Sequence, residues 1–211
     1  MNVQEATTRR LPDLKERHLP ENCRETINTI LKETYGYEQF RNLEIYDDLS
    51  KGKEKLCISQ GQLIENVILE AEKAWKSETQ VDNILLTAPT GSGKSLLFQL
   101  PAIYLGKEYN LLTIVVSPLK ALIVDQVESL QELGYARVAY ASSDLSPEQK
   151  MEVYRQVREG EIDLFYLSPE LLLSYDIKHF VGERRIGLVV VDEAHTVTTW
   201  GKEFRVDYWF L

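Results

Sequence analysis

The stretch APTGSGKS occupies residues 88–95, between the apolar run NILLTA at residues 83–88 and the run SLLFQL at residues 95–100. It follows the phosphate-loop pattern G-x-x-x-x-G-K-[ST], with Ala88 in place of the first glycine. Glycines in such a loop let the backbone wrap closely around phosphate oxygens, which then accept hydrogen bonds from backbone N–H groups and from the start of a helix. We therefore predict that the backbone of this loop binds the nucleotide phosphates through four residues: Thr90, Gly91, Ser92 and Gly93.

The two residues that close this motif have separate predicted roles. Lys94 supplies a positive charge for the β- and γ-phosphates, and Ser95 supplies a hydroxyl for Mg²⁺. The alternative is a glycine turn with an unrelated lysine. The apolar strand-like run before the loop and the helix-like run after it argue against that alternative, because the motif functions only between those two elements.

A second charged motif ends another apolar run, in LVVVDEAH at residues 188–195. The carboxyl ends of strands are where open α/β sheets bind ligands. Asp192 fits a water-mediated Mg²⁺ contact, and Glu193 fits a general base for the attacking water. Two acids opening a helix, favoured by its dipole, are the alternative. His195 is either a buried, hydrogen-bonded histidine or a switch, and it is included with the catalytic candidates.

The chain from residue 83 onward alternates strand-like and helix-like runs, which predicts an α/β fold with a mostly parallel sheet and helices on both faces. One predicted helix has a clear start, because Ser146, Pro147 and Gln149 form a capping-box sequence. The predicted strands are NILLTA (83–88), LLTIVVS (111–117), RVAYA (137–141), DLFYLS (163–168) and IGLVVVDEA (186–194), and the predicted helices span 94–105, 119–133 and 147–159.

The residues before the first predicted strand lack this alternation of strands and helices and are predicted to form a helical extension. Residues 1–22 are polar and are predicted to be flexible. A helix is predicted from an Asn22 cap to the neighbourhood of Gly36, since Ile27, Ile30 and Leu31 recur at helical spacing. Residues 42–58 fit no period well and are predicted to form a loop or a short helix, and residues 62–76 are predicted to form another helix.

Composition excludes several classes of protein. The 211 residues are 44% hydrophobic and 27% charged, which is ordinary for a globular protein, and the formal charge of −9 argues against a generally DNA-coating protein. No apolar run reaches the length of a membrane span, and the N-terminus does not resemble a signal peptide. Cys23 and Cys57 have no metal-like neighbours. These features predict a cytoplasmic protein without a membrane or a zinc site.

Four motifs in order resemble a known family. APTGSGKS, VVSPLKALIVDQV, LFYLSPELLL and VVVDEAH are similar to motifs I, Ia, Ib and II of superfamily 2 helicases. TTWGKEFRVDY, at residues 198–208, resembles the aromatic-rich loop that follows motif II in RecQ-family DNA helicases. YGYEQFR, at residues 35–41, resembles the start of that family's adenine-binding motif. The resemblance covers residues 23–211, divided into an adenine-binding helical segment (23–80) and a RecA-like motor domain (81–211).

The resemblance implies an adenine site with one irregularity. Tyr37, Phe40 and Arg41 are expected to pack on the base. The family places a glutamine three residues after its FR, where this chain has Glu44. The segment SQGQLIENV resembles the surroundings of the family's glutamine, so we predict an insertion after Arg41 and Gln62 as the residue that reads adenine.

The resemblance also implies contacts with single-stranded DNA. In SPLKAL and SPELL a Ser-Pro pair follows a strand and opens a helix. From the residues alone, a Ser-Pro pair is more often a helix cap than a phosphate contact. The resemblance to the helicase motifs instead favours contact with the phosphates of the DNA backbone. The aromatic loop is predicted to sense DNA, with Trp200 and Phe204 stacking on bases. The nucleic-acid candidates are Ser117, Pro118, Lys120, Ser168, Glu170, Trp200, Phe204 and Arg205.

These expectations define the first RecA-like motor domain of a 3′-to-5′ ATP-dependent DNA helicase that uses ATP and Mg²⁺ and binds single-stranded or partly duplex DNA. The chain ends at Leu211, before motif III and the second motor domain that carries an arginine finger, so we expect it to bind nucleotide but hydrolyse it slowly. The loop departs from the family at Thr199, Lys202 and Val206. An ATP-binding switch module and another superfamily 2 motor, such as an RNA helicase, are the alternatives.

Overall fold

A computed structural model of the chain describes residues 20–46, 55–76, 83–86 and 91–193. Its centre is a sheet of four parallel strands in the order β4-β5-β3-β6. Four of the five strands predicted from the sequence are therefore confirmed, and their bounds are β3 Leu112–Val116, β4 Val138–Ala141, β5 Leu164–Leu167 and β6 Ile186–Val191.

Seven helices are found in the described residues. The Ser146–Gln149 capping box at the start of α5 is confirmed. The first helix ends at Gly36 in a left-handed conformation (φ 70°), as predicted, but its N-cap is Arg24 rather than Asn22. The bounds are α1 Glu25–Tyr35, α2 Gln60–Trp75, α3 Leu96–Tyr109, α4 Lys120–Glu132, α5 Pro147–Arg158, α6 Pro169–Ser174 and α7 Ile177–Val181.

Alternation along the central strands divides the core into two layers. Val115 of β3 and Tyr166 of β5 pack in one apolar cluster with residues of α1, α2, α3 and α4. Ile114 and Phe165, their neighbours in sequence, face a second cluster with residues of α5, α6 and α7. Successive side chains of a strand point to opposite faces, so both faces of the sheet are covered by helices. The predicted α/β architecture with an N-terminal helical extension is confirmed.

The predicted loop or short helix at residues 42–58 is wrong. Strands β1 (Asn42–Tyr46) and β2 (Lys55–Ser59) form an antiparallel hairpin in which Leu43 pairs with Ile58. Leu43 is half-buried against the core and Ile58 is buried. Each of these strands has only two or three apolar residues, and the segment between them in the sequence is charged, so the alternation is hard to detect in the sequence.

The strand predicted at residues 83–88, just before the phosphate loop, is not observed in residues 83–86, the part of it that the structure describes. Residues 83–86 have no strand assignment, and Leu85 is 69% exposed. Strand β6 is the outer strand of the sheet as described, and its Val189 is 51% exposed. Residues 83–86 form no ladder with β6, and the burial that favours a strand is missing at these residues.

The helical extension packs directly on the motor core. Ile27 of α1 and Ile64 of α2 share one buried cluster with Leu100 of α3. The proposed division at residue 80 remains a prediction, and residues 1–19 and 194–211 lie outside the described residues. No helix in the described residues is both long and apolar enough to cross a membrane.

Candidate nucleotide site

The phosphate loop enters α3 through two glycines in the left-handed region. Gly91 has φ 81° and Gly93 has φ 79°, values that strain any residue with a Cβ atom. A Cβ atom on Gly93 would also lie 2.7 Å from the side-chain nitrogen of Gln60. The backbone geometry therefore requires glycine at both positions, as the phosphate-loop assignment predicts. Thr90 lies outside the described residues.

Gln60 supports this loop and was missed by the sequence analysis. Its side chain is 2% exposed. Its Nε2 donates a hydrogen bond to the carbonyl oxygen of Ser92 (3.1 Å), and its Oε1 accepts one from the backbone N–H of Arg41 (3.2 Å). One buried amide thus joins the adenine segment to the phosphate loop. A pattern search does not find Gln60, because this contact depends on the hairpin that separates it from Arg41.

The acid pair lies at the carboxyl end of β6, as predicted. The backbone N–H of Asp192 continues the ladder to Val116, at 2.9 Å. Glu193 has a left-handed backbone (φ 49°), and its N–H donates to Oδ1 of Asp192 at 2.9 Å. A non-glycine residue in this region costs conformational energy and is common at functional sites. His195 lies outside the described residues.

One cavity brings the basic and acidic candidates together. Its volume is about 760 Å³, and Lys94, Asp192 and Glu193 all line it, beside apolar residues of α2 and β6. The parallel topology explains this proximity, because the start of α3 and the end of β6 lie at the same edge of the sheet.

The residues present fit a magnesium nucleotide. The space beside Gly91 is open and permits close backbone approach, and the buried Ser92 hydroxyl has no hydrogen-bond partner in the described part of the chain. Ser95, at the N-cap of α3, and Asp192 offer a hydroxyl and a carboxylate. Mg²⁺ prefers oxygen ligands and keeps several waters, so two protein oxygens are sufficient when the nucleotide supplies the rest.

The hairpin reconciles the interrupted adenine motif with its family pattern. The backbone N–H of Gln60 donates to the carbonyl of Arg41 at 2.9 Å, so the chain returns to Arg41 after residues 42–59. Without that hairpin the sequence would read FRQGQ, which places Gln62 in the predicted position after the FR. The segment predicted as an insertion thus contains the antiparallel pair β1-β2, and the role of Gln62 in reading adenine stays a prediction.

The structure assigns different environments to the predicted adenine-site residues. The Tyr37 ring is 52% exposed and stacks on Tyr35, with centroids 6.4 Å apart, so it presents one free aromatic surface. Phe40 packs against the core instead, next to Gly61. The Arg41 side chain is exposed.

Gln62 is engaged at the start of α2. Its Oε1 accepts from the N–H of Ser59 (3.0 Å), which completes a capping box, and its Nε2 donates to the carbonyl of Pro20 (3.2 Å). These two contacts use one lone pair of Oε1 and one N–H of Nε2, so the amide keeps one acceptor site and one donor for a base.

The two Ser-Pro segments open α4 and α6 at the same edge of the sheet. The Ser117 and Ser168 side chains are buried, at 1% and 2% exposure, so their hydroxyls do not reach solvent. Lys120 and Glu170 are exposed, and Pro118 is half-exposed. Lys120 forms an ion pair with Asp144 (2.9 Å). Direct phosphate contact is therefore open to Lys120 and not to the serine hydroxyls in this conformation. Trp200, Phe204 and Arg205 lie outside the described residues.

Comparison with known proteins identifies the family. The pattern of the DEAD/DEAH box helicase family matches residues 69–209, about two thirds of the chain. The chain belongs to this family. The phosphate loop, the acid pair and both Ser-Pro segments fall within the matched range.

The curated relatives include RecQ helicases. An ATP-dependent DNA helicase RecQ from Synechocystis is 33% identical over 187 residues, which are 88% of this chain and 32% of the relative. The enzyme of the same name from Bacillus subtilis is 32% identical over 180 residues, 85% of this chain and 25% of the relative. The resemblance to RecQ-family helicases is confirmed, and the chain spans about a quarter to a third of these relatives.

A solved structure confirms the fold class. The crystal structure of the DUF1998 helicase MrfA bound to DNA matches with a TM-score of 0.50 and 21% identity. The match covers 85% of this chain and 21% of that one.

Proposed function

We propose that this chain is the first motor domain of a RecQ-like, ATP-dependent DNA helicase, which binds Mg·ATP and one face of single-stranded DNA. The observation that carries the proposal is the single cavity lined by Lys94, Asp192 and Glu193. A phosphate-binding lysine opposite a magnesium-binding acid and a general base is the arrangement that phosphoryl transfer requires. The names of the RecQ relatives support DNA as the substrate, and the 3′-to-5′ direction rests on the family resemblance.

Different residues of this chain have separate roles in nucleotide binding and hydrolysis. The loop backbone and Lys94 bind and orient the phosphates, while Asp192 holds the metal through water. Glu193 accepts a proton from the attacking water at its carboxylate. Bound Mg²⁺ would neutralise charge that develops on the phosphate oxygens. Lys120 would contact the DNA backbone, which contributes affinity without base specificity.

The adenine assignment gives the first prediction. A glutamine amide both donates and accepts, which matches the N6 and N7 edge of adenine, whereas an ionised glutamate only accepts. Gln62→Ala is expected to lower the preference for ATP over GTP by about tenfold, since one good bidentate pair discriminates by about 1–3 kcal/mol. Competition of both nucleotides against a fluorescent ATP analogue measures this preference.

Two matched variants make that assay decisive. Glu44→Ala alters the exposed face of β1 and should leave the preference unchanged. Gln60→Ala should weaken both nucleotides alike, because Gln60 contacts the phosphate loop. A loss of preference in Glu44→Ala, or in Gln60→Ala but not in Gln62→Ala, would assign the adenine contact to a different residue.

A second prediction tests DNA sensing and, with it, the helicase assignment. In the full-length polypeptide Trp200→Ala should abolish the stimulation of ATP hydrolysis by single-stranded DNA, because stacking contributes about 1–3 kcal/mol per base. Mg·ATP binding should stay nearly intact, since Trp200 is not among the proposed nucleotide contacts. Steady-state hydrolysis with and without oligonucleotide measures both properties. Stimulation equal to wild type would contradict the sensing role, and a wild-type protein without stimulation would contradict the helicase function itself.

A further inference from the structure

A polar network centred on the buried Gln99 side chain joins four elements of the fold. It consists of Tyr35, Gln99, Gln126 and Tyr166, and we call it the Gln99 network. Oε1 of Gln99 accepts from the Tyr35 hydroxyl (2.9 Å), while its Nε2 donates to Oε1 of Gln126 (2.8 Å) and to the Tyr166 hydroxyl (3.2 Å). One amide therefore satisfies three partners from three different elements.

The residues of the Gln99 network lie on elements that carry candidate nucleotide and nucleic-acid contacts. Tyr35 is the last residue of α1, and its ring stacks on the exposed Tyr37 of the adenine segment. Gln99 is in the first turns of α3, directly after the phosphate loop. Gln126 is in α4, which opens with the exposed Lys120. The network thus spans from the adenine segment to a helix proposed to contact DNA.

Tyr166 extends the network towards the acid pair. It lies in β5 and is 1% exposed. Burial raises the pKa of its hydroxyl, and the charge of Asp192 raises this pKa further. Burial also raises the pKa of the Tyr35 hydroxyl, so both phenols remain protonated at neutral pH.

Such a network resists independent movement of its members. Gln99 is only 5% exposed, so a partner that moves away leaves a buried polar group unpaired, which costs free energy. A change in the adenine segment or phosphate loop that displaces Tyr35 or Gln99 must therefore be followed by Gln126 and Tyr166, or lose a buried hydrogen bond.

We propose that Gln99 is a positioning residue that couples nucleotide binding at the adenine segment and phosphate loop to α4 on the nucleic-acid side. The inference rests on the proposed function, because it requires nucleotide to bind this loop. It adds a route within the domain by which the nucleotide changes the helix that carries Lys120. This coupling runs through the hydrogen bonds of Gln99, which are directional, whereas the side chains packed around it between α3 and the sheet are mostly apolar.

The test is amide hydrogen exchange in α4, with and without a saturating non-hydrolysable Mg·ATP analogue. In the wild-type chain the analogue should slow exchange in α4 by about fivefold or more, at the lower end of typical coupling between sites. Gln126→Met removes the polar end on α4 and keeps the other contacts of Gln99. It should bind the analogue within about twofold of wild type and lose the slowing in α4.

Two further variants separate coupling from stability. Tyr35→Phe deletes one hydroxyl at the opposite end and should also reduce the slowing in α4. Gln131→Met is the matched control on α4. The Gln131 side chain donates a hydrogen bond to the Val138 carbonyl rather than to Gln99, so this variant should retain the slowing of exchange in α4. A purely structural network would lower the melting temperature in Gln126→Met and leave the nucleotide response intact.

Each remaining outcome is informative. Binding of the analogue without slowing in wild-type α4, or full slowing in Gln126→Met, would overturn the coupling and leave the proposed function standing. Absence of analogue binding to the wild-type chain would overturn the proposed function and the coupling together.

Discussion

Replacing Lys94 with alanine is expected to weaken Mg·ATP binding by about ten- to a hundredfold. In the proposed site the phosphate loop contributes backbone N–H groups that survive the substitution, and Lys94 contributes the positive charge that binds the β- and γ-phosphates. A hydrogen bond to a charged group is worth about 1.5–3 kcal/mol, which gives this range. Titration with a fluorescent ATP analogue measures the change in affinity.

Two controls assign the loss to the phosphate contact. Lys107→Ala removes the same charge from an exposed position near the end of α3 and should leave the affinity within about twofold of wild type. The affinity for AMP, which lacks the β- and γ-phosphates, should change little in Lys94→Ala. If Lys94→Ala binds Mg·ATP as tightly as wild type, or loses AMP equally, the loop assignment is wrong.

Replacing Asp163 with alanine is expected to lower the free energy of unfolding by about 3–5 kcal/mol. This carboxylate is fully buried and receives hydrogen bonds from three side chains: Arg137 (2.6 and 2.7 Å), Tyr135 (2.9 Å) and Arg184 (3.1 Å). The Arg184 side chain is only 5% exposed, and burial lowers the pKa of its guanidinium. Without Asp163 a buried cation lacks its anion, which is the costly case.

Urea denaturation of matched variants tests this explanation. Asp163→Ala combined with Arg184→Met should recover part of the lost stability, because the apolar side chain removes the uncompensated charge. Asp144→Ala, which breaks the exposed ion pair with Lys120, should leave the denaturation midpoint nearly unchanged. A double variant no more stable than Asp163→Ala alone would show that the penalty does not come from Arg184.

The features that could be predicted from the sequence are those set by residues that are close together along the chain. The phosphate loop requires two glycines and a lysine at fixed spacing, and those residues show the expected backbone geometry at Gly91 and Gly93. The four confirmed strands are mostly apolar runs, and the two central ones, β3 and β5, are buried along their whole length, as such runs predict. Asp192 follows such a run directly, so its place at the edge of the sheet could be predicted.

The features that sequence did not predict depend on contacts between distant residues. Gln60 contacts Ser92 across 32 positions, and Gln99 contacts Tyr166 across 67. Isolated glutamines carry no periodicity or motif that would reveal those partners. Asp163 was predicted only as the start of a strand, since its role depends on Arg184. The strand predicted at residues 83–88 is not observed in its described part, residues 83–86, because apolar composition alone does not specify pairing with a neighbouring strand.

The hairpin of residues 42–59 makes the adenine segment discontinuous in sequence and continuous in space. The chain leaves and returns through adjacent residues, Arg41 and Gln60, which are hydrogen-bonded to each other. Lengthening a loop that is closed in this way costs little free energy, since the closure term grows only logarithmically with length. Insertions of very different size are therefore compatible with one arrangement of the residues proposed to bind the base. For the same reason the hairpin offers an attachment point for a fluorophore or an affinity tag close to these residues.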